Sequence, residues 1–395
     1  MLSLGFALLL PLGIIGACES EDSPAETTTA TPGTGGTGGT GGQGGEGGLI
    51  STGGSPSSTG GGGAAARPTA GLLYTADSEV YVPGPPVNSY NAALQEWGDP
   101  PNGLWEGTMC YNFFGDYGGV SVPASYYYTD NDSISPPNGG GPGPSSARGG
   151  NYFLAMHRNS ATQPDAYGIP DHGSADKCEF AGVDYSLVSG TNNGWRQPHV
   201  GDETYTGLSI YFPSWVRDNI AARPALYWHS ILSWHGIWGS STVGAEVLHV
   251  NGEAKFRIHV YDQRRLPQPG ETWGSYDPVL GNVTEIIEMY VGDVIVDEWF
   301  DMVIYTKWRN ALAGDGNGAL KVWLNDEVIV DAPNQSIGYH TGSDSEGAPT
   351  SFFKFGTYAP PDTDFQRTIY FDEFRFADAG QGATKDTVDP AYGEQ

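Results

Sequence analysis

Short apolar runs separated by turn-forming residues fill the second half of this 395-residue chain, and they restrict its fold more than any other feature. Runs such as ETYTGLSIYFP, AKFRIHVY, WFDMVIYTKW and TIYFDEFRF are rich in β-branched and aromatic residues and are bounded by Gly, Pro, Asn or Asp. LKVWLNDEVIV predicts a hairpin closed around Asn325-Asp326. Because long helical patterns are hard to find, the sequence predicts an all-β fold, an antiparallel sandwich or jelly roll.

One run, SFFKFGTY at positions 351–358, has two chemically different faces. Side chains alternate along a strand, so its apolar positions at Phe353 and Phe355 share a face that suits a core. Lys354, Gly356 and Tyr358 share the opposite face. A cation, a bare backbone position and a phenol on one face indicate a binding or catalytic role, with a solvated sheet surface as the alternative.

The N-terminal sequence MLSLGFALLLPLGIIGAC is apolar, too short to span a bilayer as a helix, and ends in small residues. Ile15-Gly16-Ala17-Cys18 resembles the lipobox of bacterial lipoproteins, in which the cysteine is lipidated. Residues 1–18 are therefore predicted to be a lipoprotein signal peptide, which implies an exported protein that is lipid-anchored to a bacterial membrane or cell surface. A free cysteine after an ordinary signal peptide is the alternative.

Residues 19–67 are rich in Gly, Thr and Ser and carry too little apolar surface to offset the entropy lost on ordering. They are predicted to form a disordered tether. The remaining segment, 68–395, has the length of one large β-domain.

Three cysteines are present. With Cys18 assigned to the lipid, Cys110 and Cys178 remain. In an exported protein this pair is expected to form a disulfide, because two cysteines without CxxC spacing make a poor metal site.

The net charge of −28, from 46 acidic and 18 basic residues, argues against nucleic-acid binding. An acidic ligand would need a local cluster of cations on such a surface. We expect a monomer without an organic cofactor or a metal centre. A structural calcium is compatible with Asp130-Asn131-Asp132 or Asp315-Gly316-Asn317, although both lack a spaced ligand set and are better explained as turns.

The last third, from about Asp297 to Asp378, resembles the concanavalin-like jelly roll of lectins, laminin-G-like modules and several polysaccharide lyases. WFDMVIYTKW, the hairpin KVWLNDEVIV and the final strand IYFDEFRF carry this resemblance. It implies a concanavalin-like β-jelly roll for residues 68–395. Fold alone does not assign a function, because this fold serves both binding and catalysis.

A more specific resemblance is to jelly-roll polysaccharide lyases, such as alginate lyases, glucuronan lyases and heparin lyase I. These families carry Lys-x-Gly-x-Tyr on a strand near the C-terminus, which Lys354 to Tyr358 match. Their two upstream motifs, Arg-x-Glu and Gln-x-His, have partial counterparts here in the same order. The counterparts are Lys177-Cys178-Glu179 and Ser233-Trp234-His235.

Both partial motifs depart from the family pattern. Lys177 stands where the family has arginine, which replaces a bidentate fork by a point charge, and a surface ion pair with Glu179 is the alternative reading. Ser233 replaces the glutamine that helps to bind the uronate carboxylate, so it would bind that group more weakly.

Two histidines lie in ALYWHSILSWHGIW. Strict alternation predicts that His229, Ser233 and His235 share one face, with Trp228 and Trp234 on the other. His235 fits the Gln-x-His motif better than His229. His229 is a candidate substrate-binding residue, with a buried core histidine as the favoured alternative.

The resemblance implies β-elimination on a uronic-acid polysaccharide, which needs three groups. Cations such as Lys177 and Lys354 neutralise the uronate carboxylate, so that the C5 proton becomes removable. A base, His235 or Tyr358, takes that proton, and Tyr358 protonates the departing O4. Gly356 would let the sugar approach the strand closely.

Gln366 and Arg367 precede the last strand and are further candidates for holding a carboxylate, with a surface arginine as the alternative. The chief rival function is a non-catalytic carbohydrate-binding module of laminin-G-like or lectin-like type. A jelly-roll glycoside hydrolase comes third, because TEIIEMY does not reproduce the carboxylate spacing of those enzymes.

Overall fold

The computed structural model describes residues 66–77, 126–129, 143–150, 153–158, 176–181, 198–223, 228–236, 241–271, 275–309, 318–338, 351–359 and 367–393. Only the backbone is described at 126–129, 157–158, 176–181, 235–236, 276, 351–352, 359 and 367. The predicted signal peptide with Cys18, nearly all of the predicted tether, Cys110 and Gln366 lie outside the described residues.

Sixteen strands and three short helical segments make up the described part. The strands are β1 (Leu72–Ala76), β2 (Tyr126–Thr129), β3 (Phe153–Arg158), β4 (Asp176–Ala181), β5 (Glu203–Tyr211), β6 (His229–Gly236), β7 (Ser241–Val250), β8 (Glu253–Gln263), β9 (Tyr276–Asp277), β10 (Gly281–Asn282), β11 (Thr284–Asp293), β12 (Trp299–Lys307), β13 (Ala319–Leu324), β14 (Glu327–Ala332), β15 (Ser351–Ala359) and β16 (Arg367–Asp378). The helices are α1 (Ser214–Ala221), a 3-10 turn (Ala379–Gln381) and α2 (Lys385–Val388).

Two large sheets form a sandwich. The eight-stranded sheet has the order β14-β13-β12-β5-β16-β3-β2, with β1 also paired to β16, and the six-stranded sheet has the order β11-β8-β7-β6-β15-β4. The strand pairs within both sheets are antiparallel. The predicted all-β jelly roll, an antiparallel β-sandwich, is therefore confirmed.

The core lies between the two sheets and is strongly aromatic. Trp234 of β6 packs 5.0 Å from Phe353 of β15, and across the sandwich its ring lies 5.1 Å from Trp308 and 5.6 Å from Phe376. These side chains are buried almost completely. Because aromatic pairs gain energy beyond the area they bury, this cluster fixes how the sheets face each other.

The hairpin predicted around Asn325-Asp326 is confirmed, since β13 and β14 pair on either side of these two residues. Both have positive φ, 47° and 67°, as the tight turns that suit hairpin twist require.

The outer face of the eight-stranded sheet is covered by other parts of the chain. Val388 of α2 is buried in a small cluster with Val303 of β12 and Ala377 of β16. Gly207 of β5 allows this approach, because a Cβ there would lie 2.0 Å from the carbonyl oxygen of Val388. Residues 143–150 cover another part of this face, where Ala147 packs against a second buried cluster.

Candidate functional site

The three segments singled out in the sequence lie on neighbouring strands of the six-stranded sheet, since β15 pairs with β6 on one side and with β4 on the other. Gly356 lies opposite Glu179 of β4, and Tyr358 lies opposite Lys177. The side chains of β4 are outside the described part of the chain. Backbone pairing thus places the first motif directly beside the last.

The second motif is the other neighbour of β15. Lys354 lies opposite Ser233 of β6, and Phe352 lies opposite His235. The side chain of His235 is not described, so its predicted role as a base stays a prediction.

Lys354 lies on the outer face of this sheet, the face turned away from the core. Its chain neighbours Phe353 and Phe355 are fully buried in the core cluster, and side chains alternate along the strand. Lys354 is nevertheless only 4% exposed, and Ser233 beside it is 3% exposed. A cation shielded from water in this way interacts more strongly with a bound anion than a surface lysine does.

Tyr358 is partly exposed on the same outer face. Its ring meets that of Trp228 edge-on, with 4.8 Å between centroids and 74° between planes. The sequence assigned Trp228 to the face opposite Ser233 and His235. That assignment is wrong, because Trp228 packs against Tyr358.

The cause is two of the three register irregularities between β6 and its neighbours. The register between β6 and β7 shifts between Ser230 and Leu232, and the register between β15 and β6 shifts between Phe355 and Tyr358. An extra residue in one strand of a pair interrupts the alternation of side chains. Ile231 and Leu232 are accordingly both buried in the core cluster.

His229 therefore lies on the inner side of the sheet. It is fully buried, its Nε2 lies 2.8 Å from Thr357 Oγ1, and its ring is 6.1 Å from that of Phe212. The alternative given above, a histidine of the core, describes this position. The prediction that His229 contacts substrate is corrected accordingly.

The remaining candidates are Arg367, Gln366 and the two cysteines. Arg367 is the first residue of β16 in the eight-stranded sheet, opposite Arg158, and its side chain is not described. Gln366 lies outside the described residues. Cys178 lies on β4 opposite Thr357, but Cys110 is not described, so the disulfide stays a prediction.

A charged cluster on β7, β8 and β11 was missed in the sequence. Glu246 of β7 is 6% exposed and accepts a 2.8 Å hydrogen bond from Nε of Arg257 and a second bond from Nη2 of the same guanidinium. Nη1 of Arg257 donates to Glu288 of β11 at 3.0 Å. Nδ1 of His259 lies 3.1 Å from the same Glu246 oxygen.

This cluster is electrostatically balanced around Glu246. Burial by itself would raise the pKa of this carboxyl, but the nearby His259 and Arg257 outweigh burial and hold its pKa below the ordinary value. Glu246 lies opposite Ser230 in the register, and Ser230 lies opposite Tyr358. The cluster thus adjoins the strands that carry the motifs.

A sequence signal for the cluster was present. In AKFRIHVY, Arg257 and His259 alternate with the core residues Phe256, Ile258 and Val260. Two polar residues on one face of an otherwise apolar strand indicate a binding or catalytic role, as they do for Lys354 and Tyr358. What the sequence could not show is that β7 lies between β6 and β8.

A separate depression of about 440 Å³ lies on the eight-stranded sheet, lined among others by Tyr305, Lys307 and Lys321. Its lysines have acidic partners, with Lys307 3.3 Å from Glu203 and Lys321 2.8 Å from Asp331. The residues that line it include none of the predicted site residues.

In the part of the chain that the structure describes, no three His, Cys, Asp or Glu side chains are grouped as a metal site would require. Within the same residues, no helix combines the length and apolar character needed to cross a membrane.

Comparison with solved structures gives low-identity likenesses to polysaccharide lyases. Endo-β-1,4-glucuronan lyase from the fungus Trichoderma reesei is 16% identical, with a TM-score of 0.39, over 67% of this chain and 98% of that one. Alginate lyase Aly36B is 12% identical, with a TM-score of 0.40, over 79% and 98%. Alginate lyase A1-II′ is 14% identical, with a TM-score of 0.34, over 57% and 79%. No curated protein matches the chain significantly.

Family membership rests on a comparison of a different kind. The family model described as polysaccharide lyase matches residues 149–375, more than half of the chain. The matched segment contains all three motifs and the charged cluster around Glu246. The chain therefore belongs to the polysaccharide lyase family.

Proposed function

We propose that this protein cleaves a uronic-acid-containing polysaccharide, of the alginate, glucuronan or heparin type, by β-elimination on the outer face of the six-stranded sheet. One observation carries the proposal: one complete and two partial motifs that are far apart in the sequence lie on β4, β15 and β6, which are neighbours. Family membership supports the same reaction class.

The first task of the reaction is to neutralise the uronate carboxylate. Lys354 is a shielded cation with the hydroxyl-bearing Ser233 opposite it, and Lys177 is the backbone partner of Tyr358. In a site with little water these groups stabilise the charge that develops on the carboxylate when the C5 proton leaves. They supply the local positive charge that this acidic protein needs for an anionic substrate.

The second task is proton transfer. Tyr358 is assigned to protonate the leaving O4, and either His235 or Tyr358 removes the C5 proton. The edge contact with Trp228 restricts the Tyr358 ring on one side. Lys354 and Tyr358 are four residues apart on one strand, about 13 Å between α-carbons, so they serve adjacent subsites of an extended chain.

Gly356 has a role in backbone geometry. Its φ of +142° is rarely adopted by L-residues, and it lies where the register between β15 and β6 shifts. Glycine at this point therefore lets β15 pair with both neighbours while Lys354 and Tyr358 stay on the outer face.

The test is to incubate the dialysed protein, without added cofactor, with alginate, glucuronan, heparin and pectate and to record ultraviolet absorbance. Elimination creates an unsaturated uronate that absorbs there, whereas hydrolysis and binding do not. We expect the chromophore to appear with at least one polymer. Retardation in an affinity gel without the chromophore would favour the carbohydrate-binding module instead, and new reducing ends without it would favour a glycoside hydrolase.

We also propose, from the N-terminal sequence alone, that the protein is exported and anchored through a lipid on Cys18. Expression of the full chain in a bacterium should place it in the membrane fraction, and Cys18→Ser should release it. A variant that stays with the membrane would contradict lipid anchoring without bearing on the reaction.

A further inference from the structure

The imidazole of His259 occupies the space where a side chain of Gly244 would lie. A Cβ on Gly244 would be 2.4 Å from Cε1 and 2.6 Å from Nε2 of that ring, distances that no real side chain tolerates. Gly244 lies opposite His259 of β8 on one side and opposite Ser233 of β6 on the other. The ring thus leans across β7 toward Ser233.

Two neighbours hold this ring. Nδ1 of His259 lies 3.1 Å from Glu246 Oε1, and Glu246 is in turn bound by two guanidinium nitrogens of Arg257. On the same strand, the ring of Tyr261 packs at 5.3 Å from the imidazole, nearly perpendicular to it. His259 is only 5% exposed as a result. Its position is therefore fixed before any ligand arrives.

The opposite edge of the ring is available. Within the described residues, Nε2 of His259 makes no hydrogen bond and is not fully buried, whereas Nδ1 is buried and contacts Glu246 as an ion pair without hydrogen-bond geometry. Arg257 also pairs with Glu246, so this carboxylate has a second cationic partner beside the histidine. A proton on Nε2 would point into the space beside Ser233.

A row of side chains then crosses the sheet. Lys354 of β15 lies opposite Ser233, Ser233 lies opposite Gly244, and the gap at Gly244 is filled by His259. Opposed positions on neighbouring strands are about 5 Å apart. A carboxylate over Ser233 would have the ammonium of Lys354 on one side and the imidazole on the other. The serine side chain is too short to hold such a carboxylate by itself.

We propose that His259 is a substrate-binding residue: as an imidazolium it pairs with Glu246 through Nδ1–H and donates Nε2–H to the uronate carboxylate held by Lys354 and Ser233. This inference rests on the proposed function and deepens it by assigning the second group that grips the carboxylate. Glu246 is a positioning residue, because it acts on the substrate only through His259. Gly244 provides the room that the ring needs.

The experiment compares His259→Leu, Gly244→Ala and the double variant His259→Leu/Ser233→Gln with the unmodified chain. His259→Leu removes the donor and should lower kcat/KM by roughly 10- to 100-fold, mainly through KM. Gly244→Ala keeps the imidazole but displaces it, so a comparable loss is expected. In the double variant a longer amide at position 233 reaches the same space, so part of the loss should be recovered.

Lys255→Gln is the matched control, because it removes a cation from the same strand, and among the described residues Lys255 pairs only with the exposed Glu253 and Asp293. Its activity should equal that of the unmodified chain. Circular dichroism and Tm establish that each variant folds. The binding arm measures retardation in affinity gels containing alginate, glucuronan, heparin or pectate, and His259→Leu should weaken it at least about 10-fold.

Two failures are distinguishable. If the unmodified chain yields no chromophore but is retarded by a polymer, the lyase proposal fails, and equal retardation of His259→Leu would overturn the present inference separately. If the chromophore forms and folded His259→Leu retains full kcat/KM and KM, only this inference is wrong. A chain that neither binds nor cleaves any of the four polymers overturns both.

Discussion

The outer faces of the two sheets both carry a buried pair of an arginine and a carboxylate, but the two pairs have different structural roles. On the eight-stranded sheet, Asp301 pairs with Arg148 at 2.7 Å and accepts a 2.6 Å hydrogen bond from Ser209. Arg148 belongs to a segment that covers the sheet. On the six-stranded sheet, Glu246 pairs with Arg257 of the neighbouring strand instead.

A second buried carboxyl strengthens the contrast. Asp372 of β16 accepts hydrogen bonds from the backbone N–H groups of Arg148 at 3.0 Å, Gly149 at 3.2 Å and Glu373 at 2.9 Å. Burial raises its pKa well above the ordinary value, and the charge of Glu373 adds to this, while the three N–H donors lower it. Asp372 and Asp301 together attach residues 148–149 to the sheet.

The difference lies in where the partners come from. The Arg148–Asp301 pair joins a covering segment to the sheet and so holds that segment in place. The Arg257–Glu246 pair joins two neighbouring strands, so it attaches no segment over side chains such as Lys354 and Tyr358. Ion pairing alone therefore does not mark a functional site. The partner's place in the fold does.

The largest effect is expected for Tyr358→Phe. Loss of the phenolic proton should reduce turnover by about 10³-fold or more, within the range for general acid–base groups, while polymer binding is retained. The assay is the ultraviolet chromophore together with affinity gels.

Tyr305→Phe is the matched control, because its hydroxyl donates a 2.6 Å hydrogen bond to Glu203 on the eight-stranded sheet. Its turnover should be unchanged. Full activity in Tyr358→Phe would remove Tyr358 from its assigned role, and loss of activity in the control would break the contrast between the two faces.

Asp301→Asn should act on stability alone. It removes the charge of the carboxylate that lies 2.7 Å from the Arg148 guanidinium, and breaking a buried pair costs about 3 kcal/mol in the free energy of unfolding. Urea denaturation measures this loss. We expect kcat at a temperature well below Tm to stay constant, and a fall in kcat without loss of stability would link the two faces.

The lowered pKa of Glu246 predicts that the protein loses stability at acid pH. Its pKa is held below its ordinary value of 4.5 in the folded protein, so the native state keeps it ionised where the unfolded chain binds a proton. Its contribution to stability is complete above pH 4.5 and is lost as the pH falls through the lower native pKa.

Tm measured against pH tests this expectation. Glu246→Gln should have a lower Tm at neutral pH than the unmodified chain and a smaller decrease below pH 4.5. Glu327→Gln, at an exposed position of β14, should follow the unmodified curve. If Tm falls equally below pH 4.5 in Glu246→Gln and in the unmodified chain, the assigned ion pair is contradicted.

The smallest effect is expected for Lys321→Ala in the depression of the eight-stranded sheet. Its pair with Asp331 is partly exposed, so the free energy of unfolding should change by less than about 1 kcal/mol. Polymer affinity and turnover should not change. A marked loss of affinity would make this depression, rather than the six-stranded sheet alone, a place where the polymer binds.

Strand content, the Asn325-Asp326 hairpin and the two faces of residues 351–358 were predictable, because each depends on local alternation or turn chemistry. The faces of His229 and Trp228 were not. Alternation fails at a bulge, and a bulge arises from the pairing of two strands rather than from the residues of either one.

The amino-acid sequence by itself determined a β-sandwich with an apolar interior and a strand that carries Lys354 and Tyr358 on its polar face, because periodicity and residue type act over a few neighbours. Tertiary structure alone decided which strands lie side by side. It therefore decided that Ser233 adjoins Lys354, and that His259 fills the space over Gly244. Such contacts join residues far apart in the chain, and no local pattern specifies them.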